Sequence, residues 1–376
     1  MPAVVQLDTD RPGSGPAVPT DELLATAARF AAQHDATREL APEVVAALRG
    51  AGFARHFVSS AWGGREGSFD ELTRAVTAVG EVCPATAWCA SLSAYSARFA
   101  AHLPQEGHRA LWGADPDTVI ATALMPSGKA RAADGGWRVS GQWGYVSGVD
   151  FADWVLLCGA VAAPEGPPQL RFFTLPRGSY QVRKTWDSIG MRATGSHTVV
   201  VDEALVPAHL SFDRADMITG RNDGSELSAH RVPFQAVGGL TFIAPVVGAA
   251  TGALNATAAA LTGKRRTPAV ELAVVRASGR IDAARLLLAE NSAVLDGRKF
   301  TPDDMARNER NATFAAEMAI EAVGLLIKAA GTGGLGETHA LQRFWRDVTS
   351  AASHVALQYD TAARKTYSTV LLGPEA

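Results

Sequence analysis

The spacing of apolar residues changes twice along this chain of 376 residues, and these changes constrain the fold more than any other feature. From residue 20 to about 112, apolar residues recur every three or four positions, which predicts helices. From 117 to 212 they alternate, which predicts short strands, and from 236 to 370 the helical spacing returns. We therefore predict a mostly helical α+β fold with an N-terminal helical domain, a middle antiparallel β-domain and a C-terminal four-helix bundle.

Turn-forming residues set the predicted bounds. Residues 1–19 are predicted to be a disordered lead, 20–112 the N-terminal helical domain, 113–212 the β-domain, 213–235 an irregular loop or lid, and 236–376 the bundle. The strand candidates are 119–123, 137–147, 154–158, 170–175, 182–186 and 198–201. The bundle helices are expected over 236–263, 267–295, 302–330 and 341–370.

Charge and cysteine content exclude several classes of protein. The 35 Lys and Arg against 38 Asp and Glu leave a net charge of −3, without the basic excess that nucleic acid requires. The three cysteines (Cys83, Cys89 and Cys158) have neither zinc-ligand spacing nor an even number, which favours a reducing compartment. With neither a signal peptide nor a transmembrane run recognisable, we expect a cytoplasmic protein with a small-molecule substrate and no metal, membrane or nucleic-acid partner.

The common catalytic motifs are absent from the sequence. There is no nucleophile elbow, no zinc-protease helix and no phosphate-binding glycine loop, and the nine histidines lack metal-ligand spacing. The glycine run from Gly331 to Gly334 follows a helix rather than a strand, so it is interpreted as a helix stop.

Four segments, taken in order, carry a family resemblance. They are APEVVAALRGAGFARHFVSSAWGG (41–64), RVSGQWGYVSGVDFADWVLL (138–157), WDSIGMRATGSHTVVVDEALVP (186–207) and GTGGLGETHALQRFWRDVTSAASHVALQYD (331–360). Together with the order of helices, strands and helices, they resemble the acyl-CoA dehydrogenase fold from about residue 20 to 372. The resemblance implies the same three-part architecture.

Which branch of this fold the chain belongs to depends on whether it has a carboxylate base at the family position. A dehydrogenase needs a carboxylate to remove a weakly acidic proton, and the family places it about nine residues after the Arg-Asp pair matched by Arg346-Asp347. Here that position is Val355, preceded by His354, and no Glu lies between Glu337 and Glu375. Glutamates on an earlier helix, Glu271 and Glu290, keep an acyl-CoA dehydrogenase or oxidase open as an alternative. A non-catalytic helical scaffold is the third.

The last segment and SGQWGYVSG look most like the flavin-dependent monooxygenases that share this fold. That resemblance implies reduced FMN or FAD supplied by a separate reductase, O2, a C4a-hydroperoxyflavin that hydroxylates the substrate, and a homotetramer. His354 matches the family histidine near peroxide and substrate, where it could accept a proton from a phenol or ammonium group or hold the peroxide protonated. The expected substrate is a phenolic or polycyclic aromatic compound first, and an amine or amino sugar second.

Further site residues are predicted from strand and helix positions. Ser147 is expected to reach flavin N5 or the peroxide, and alternation places Trp143 and Tyr145 on the same strand face as Ser147. The predicted cofactor-binding residues are Thr122, Leu124, Trp143, Tyr145, Val146 and Ser147. The predicted substrate-binding residues are Trp88, Tyr95 and Ser96 on one helix, with Arg231 and Phe234 from the irregular loop. Arg265 and Arg266 lack the accompanying FAD motif of dehydrogenases, which favours a loosely held, exchangeable flavin.

Overall fold

The computed structural model describes residues 18, 20–163, 166–297 and 301–373. Five helices come first, as the helical spacing of residues 20–112 predicts: α1 (Asp21–Thr37), α2 (Pro42–Gly50), α3 (Phe69–Gly80), α4 (Pro84–Ala100) and α5 (Gln105–Trp112). Proline occupies the first turn of α2 and α4, where its missing N–H costs no hydrogen bond. The Ser68 hydroxyl and the Glu71 carboxylate form a capping box that fixes the start of α3. Of the predicted disordered lead, only Val18 lies within the described residues.

The middle of the chain forms a seven-stranded sheet. Its strands are β1 (Ile120–Ala133), β2 (Gly136–Val146), β3 (Trp154–Val161), β4 (Gln169–Pro176), β5 (Gln181–Arg183), β6 (His197–Pro207) and β7 (Ser211–Asp213). Their order across the sheet is β5-β6-β2-β1-β3-β4-β7. The prediction of an antiparallel sheet is wrong for one pair, because β1 and β3 run parallel. A register shift between Ala123 and Gly128 bends β1, so it can pair with β2 at one end and with β3 along its length.

The segment 213–235 is ordered by short elements. It contains the helix α6 (Arg214–Thr219) and a 3₁₀ turn (Ser228–Arg231), and a second 3₁₀ turn (Phe234–Val237) follows. Side chains of the N-terminal helices hold this segment: the buried Arg98 guanidinium on α4 donates to the carbonyls of Ala229 and Val232. The segment is therefore attached to the N-terminal helices through its backbone.

The C-terminal helices are α7 (Leu240–Leu261), α8 (Pro268–Asp296), α9 (Pro302–Ala330), α10 (Ala340–Ala352) and α11 (Arg364–Leu372). The helix that contains α7 is long and apolar enough to cross a membrane, but 83% of its most apolar window is buried within the protein. α3, α4 and α7 to α10 share one apolar core, and most of the sheet has a second, smaller one. The division into domains at the predicted bounds stays a prediction.

The predicted last bundle helix, 341–370, is interrupted. α10 ends at Ala352, and a 3₁₀ turn (Val355–Leu357) and a π-helical turn (Tyr359–Ala363) precede α11. Polar side chains stabilise the break: the Gln358 amide donates to the Ala352 carbonyl, and His354 caps the 3₁₀ turn. Such side-chain to backbone bonds compete with helix continuation. His354 therefore lies in a bend rather than on a helix face.

Candidate active site

Four side chains from four separate parts of the chain meet in one cluster. Trp88 comes from α4, Ser147 follows β2, Phe242 lies in the first turn of α7, and His354 lies in the bend after α10. The imidazole of His354 stacks on the Phe242 ring at 3.8 Å between centroids, and the Trp88 ring meets it edge-on at 5.8 Å. The Trp88 indole donates to the Ser147 hydroxyl at 3.1 Å. We call this set (Trp88, Ser147, Phe242 and His354) the aromatic cluster.

The protonation of His354 follows from its surroundings. Its Nδ1 accepts a hydrogen bond from the Ala356 backbone N–H at 3.2 Å, so in the neutral ring the proton is assigned to Nε2. Burial lowers the pKa of His354 from 6.5 to about 4, because the charged form is poorly solvated. At neutral pH the residue is therefore an uncharged imidazole with an Nε2–H donor.

Ser147 is the first member of a chain of hydroxyl groups. Its Oγ lies 2.8 Å from Ser196 Oγ, which lies 2.7 Å from Thr194 Oγ1. Thr194 Oγ1 in turn donates to the Met191 carbonyl at 3.0 Å. Ser196 and Thr194 are buried and Ser147 is half-buried, so the chain runs from the protein interior to the aromatic cluster. We call Ser147, Ser196 and Thr194 the hydroxyl relay.

A second hydroxyl pair joins β1 to α4. Thr122 Oγ1 donates to Ser96 Oγ at 2.8 Å, and Tyr95, next to Ser96, is almost fully buried. Burial raises the pKa of the Tyr95 hydroxyl, so this group stays protonated. Leu124 is half-buried two residues further along β1. The predicted residues of α4 and β1 thus contact one another.

The predicted common face for Trp143, Tyr145 and Ser147 is wrong. A register shift between Trp143 and Val146 breaks the alternation, and Tyr145 has a left-handed φ of 60°. Trp143 is buried inside the sheet, where its indole donates to the Cys158 carbonyl at 2.6 Å, so it is a core residue. Tyr145 is 80% exposed and packs edge-on against Trp186, while Val146 is buried.

The two predicted residues of segment 213–235 lie away from the aromatic cluster. Arg231 is exposed and pairs with the exposed Glu226 at 3.3 Å, which is the arrangement of a surface residue. Phe234 packs against Phe99, near the end of α4 opposite to Trp88. Sequence reasoning favoured these two because a loop of this length suggested a lid.

The alternative carboxylate bases are not at the cluster either. Glu271 is exposed and lies 3.7 Å from Arg266, and Glu290 is exposed on the same helix, α8. The cluster is built from α4, the end of β2, α7 and the bend after α10. The group that faces Trp88 and Phe242 is thus an imidazole rather than a carboxylate.

Three residues of the site were missed from sequence. Phe242 is hidden in an apolar helix where every position suits a core, and only tertiary packing brings it against His354. Ser196 and Thr194 lie before a predicted strand, and the run ATGSHT, rich in hydroxyl groups, was the available signal.

The residues present fit a flavin. Its ring system is flat and aromatic with polar edges, and it needs apolar faces together with a few hydrogen-bonding groups. Within the cluster, the rings of Trp88, Phe242 and His354 supply aromatic surface. The Ser147 hydroxyl, half-buried at the end of the relay, offers a polar contact. This combination of aromatic surface and a relayed hydroxyl suits an isoalloxazine.

Known proteins similar to this chain agree with that fit. Residues 240–359 match the family described as acyl-CoA dehydrogenase, C-terminal domain. The chain is 31% identical to the oxygenase component of an FADH2-dependent resorcinol hydroxylase from Rhizobium sp. (strain MTP-10005), over 88% of this chain and 87% of that protein. It is 30% identical to HsaA, the oxygenase subunit of a flavin-dependent monooxygenase from Rhodococcus jostii (strain RHA1), over 89% and 93%.

A solved structure extends the similarity to three dimensions. The 3-HSA hydroxylase from Rhodococcus sp. RHA1 superposes with a TM-score of 0.88 at 28% identity, covering 95% of this chain and 96% of that one. The predicted three-part fold is therefore confirmed, and so is the predicted monooxygenase branch. The chain belongs to the family of flavin-dependent monooxygenase oxygenase components with the acyl-CoA dehydrogenase fold.

Proposed function

We propose that this protein takes reduced FMN or FAD from a separate reductase and uses O2 to hydroxylate a phenolic substrate, single-ring or polycyclic. When bound, the reduced flavin would supply the electrons that activate O2. The family resemblance implies that the activated oxygen is carried as a C4a-hydroperoxide. The observation that carries the proposal is the neutral imidazole of His354, which stacks on Phe242 and meets Trp88 edge-on. The relative named for resorcinol supports a phenol as substrate.

His354 acts as a hydrogen-bond donor to the substrate oxygen. Its Nδ1 is engaged by the Ala356 N–H, so the free nitrogen, Nε2, carries the proton. A donor at this position stabilises the phenolate form of the substrate, whose ring carbon is a stronger nucleophile towards an electrophilic oxygen atom than that of the neutral phenol. The two roles predicted for His354 are to accept a proton and to hold the peroxide protonated. A hydrogen on Nε2 supports a donating role rather than proton acceptance.

The other cluster residues position the ring and exclude water. Trp88 and Phe242 give the His354 imidazole two aromatic neighbours, and the same rings offer apolar surface to a flat substrate. Ser147 is proposed to face flavin N5 across the cluster, as the resemblance predicts. Burial of Trp88 and of the hydroxyl relay keeps water from the reacting oxygen, which limits loss of the oxidant as peroxide.

Isotope labelling tests this function. The protein is mixed with enzymatically reduced FMN or FAD, oxygen-18 gas and a panel of phenols, polycyclic aromatics and amino sugars, with catalase present. We expect a phenol to gain one labelled oxygen atom, and a gain on the amino sugar instead would replace the phenol by the second substrate class. If no compound gains label and an acyl-CoA reduces the bound oxidised flavin, the chain is a dehydrogenase.

The flavin is proposed to exchange freely between reductase and oxygenase. Arg265 and Arg266 precede α8 and are exposed, and Arg266 lies 3.7 Å from Glu271 in the first turn of that helix. This supports weak binding of the far half of FAD and leaves FMN equally suitable. A desalting column should remove oxidised flavin from the protein, whereas a flavin that survives the column would contradict exchange.

The proposal includes a homotetramer with the C-terminal bundles at its centre. Leu272, Val275 and Leu286 lie on one face of α8, spaced by three and eleven residues, and are 50%, 68% and 63% exposed. A second copy of the chain would bury this apolar stripe. Sedimentation should give four chains, and Leu286→Glu should give smaller species, while Glu290→Gln on the same helix should not.

The predicted cytoplasmic location is supported by three buried, unpaired cysteines.

A further inference from the structure

The hydroxyl relay has a direction that can be deduced from its inner end. The Met191 carbonyl oxygen can only accept, and besides the Trp186 indole at 2.9 Å and the Thr194 backbone N–H at 3.2 Å it accepts from the Thr194 hydroxyl at 3.0 Å. The Thr194 hydroxyl is therefore the donor in this last bond. Each hydroxyl has a single hydrogen. With its own hydrogen committed, Thr194 Oγ1 can only accept from Ser196, 2.7 Å away.

The same reasoning applies to the next two hydroxyl groups, those of Ser196 and Ser147. Because Ser196 donates to Thr194, its Oγ must accept from Ser147 across 2.8 Å. The Trp88 indole is a donor only, so it uses one lone pair of Ser147 Oγ and leaves the serine hydrogen directed at Ser196. Ser147 is thus left with one free lone pair and no free hydrogen.

We propose that Thr194 and Ser196 are positioning residues that turn Ser147 into a hydrogen-bond acceptor, and that the site thereby selects reduced over oxidised flavin. The inference rests on the proposed function, in which Ser147 faces flavin N5. Reduced flavin carries a hydrogen on N5 and can donate it to Ser147, whereas oxidised flavin has only a lone pair there. Two opposed lone pairs repel, so the relay disfavours the oxidised form.

Release of the product flavin follows from this selection. An oxygenase that borrows flavin from a reductase must bind the reduced form tightly and give up the oxidised form after each turnover. A relay of fixed direction contributes to this selection without moving the backbone, because reduced flavin carries a hydrogen on N5 and oxidised flavin does not. Ser196 and Thr194 are 6% and 1% exposed, so water does not readily substitute for either hydroxyl.

Flavin-binding measurements on relay variants test the inference. Dissociation constants for oxidised FMN and for anaerobically reduced FMN give a selectivity ratio for wild type, Ser196→Ala, Thr194→Val and Thr194→Ser. In Ser196→Ala the Ser147 hydrogen is free to donate to oxidised N5, so the ratio should fall about threefold to tenfold, the effect of one neutral hydrogen bond. Thr194→Val should also lower the selectivity ratio. Thr194→Ser should leave the ratio at the wild-type value, because serine keeps the hydroxyl.

Two controls separate this effect from general damage. Thr185 and Thr198 form an exposed hydroxyl pair at 2.8 Å near the same strand, and Thr185→Val should leave the ratio unchanged. In a Ser147→Ala background, Ser196→Ala should have no further effect on the ratio, because it acts only through Ser147.

The outcomes distinguish this inference from the proposed function. A ratio in Ser196→Ala within twofold of wild type, or an equal fall in Thr185→Val, would overturn the role of the relay while leaving the oxygenase intact. A wild-type protein that binds no reduced flavin would remove the proposed function and this inference together.

Discussion

At His354, one backbone hydrogen bond decides which ring nitrogen carries the proton. The N–H of Ala356 lies at Nδ1, and stacking on Phe242 holds the ring in place. A neutral imidazole with a fixed tautomer can donate through Nε2 at every pH well above its pKa of about 4. The residue is therefore suited to a donor's role over the whole neutral range.

Replacing His354 by glutamine and by alanine separates donation from base catalysis. The glutamine amide can still donate, so His354→Gln should keep more coupled hydroxylation than His354→Ala, which should lose about tenfold to a hundredfold, as expected for a hydrogen bond to a charged oxygen. Product formed per flavin consumed is the measurement, with Gln358→Ala in the same bend as a control for local structure. Equal losses of coupled hydroxylation in both His354 variants, together with a wild-type rate that decreases as the pH is lowered below 6.5, would instead indicate that His354 is a base.

Individual residues differed in how far the sequence could predict them. The spacing from Arg346-Asp347 pointed to His354, and Ser147 ends the predicted strand 137–147. The sequence could therefore propose both residues. Tyr145 was not, because a register shift and a left-handed φ reverse the direction of a side chain that simple alternation places inward. Phe242 joins the site only through contacts distant in sequence.

Among the elements, segment 213–235 is held by side-chain to backbone hydrogen bonds, and Arg98 supplies two of them. Arg98 is 1% exposed on α4 and donates to the carbonyls of Ala229 and Val232, with its guanidinium 5.6 Å from the Phe69 ring. His230 adds a contact from the segment to the Phe57 carbonyl. The segment is anchored by these bonds rather than by a regular ladder.

Arg98→Met should loosen this segment without unfolding the protein. The two carbonyls lose their donor, while the cost of burying the guanidinium disappears, so global stability changes little compared with the local effect. Amide hydrogen exchange over residues 221–237 should accelerate at least about tenfold. Arg74→Met, on the exposed face of α3, serves as the control. Unchanged exchange in this segment would show that it is held by other contacts.

Element boundaries were predictable where the chain carries local signals. Proline and Thr301 fix the start of α9 at the predicted residue, and Ser68 is a local signal of the same kind for the start of α3. The parallel pairing of β1 with β3 was not predictable, since it depends on contacts across the sheet. The break after α10 was missed because apolar spacing continues through it, while the bonds that stabilise it come from His354 and Gln358.

Summed over the protein, buried histidines should make stability fall in mild acid. Burial lowers the pKa of His34, His56, His230 and His354 from 6.5 to about 4, and that of His102 to about 3. Between those values and 6.5 the unfolded chain binds protons that the folded chain does not, so folding free energy is lost as pH falls from 6.5 towards 4. Asp347, whose pKa burial raises to about 6, opposes this effect, and so do Glu81, Asp296 and Glu309, whose pKa values burial also raises.

Urea denaturation at pH 7, 6 and 5 measures the effect. The midpoint should fall with each step, and His56→Gln should reduce the dependence on pH if the variant still folds. His339→Gln is a matched control, because His339 lies at the start of α10 and is only half-buried. A midpoint that is constant or rises between pH 7 and 5 would mean that these histidines are not kept neutral by burial.

The central claim is that the aromatic cluster lets a bound reduced flavin pass oxygen to a phenol instead of releasing peroxide. Stopped-flow mixing of the anaerobic complex of protein and reduced FMN with oxygenated buffer tests it most directly. The account predicts a near-ultraviolet-absorbing species that precedes oxidised flavin in wild type, that yields hydroxylated product when resorcinol is present, and that yields much less in His354→Ala. Direct, single-phase return to oxidised flavin with stoichiometric peroxide, with or without a phenol, would contradict it.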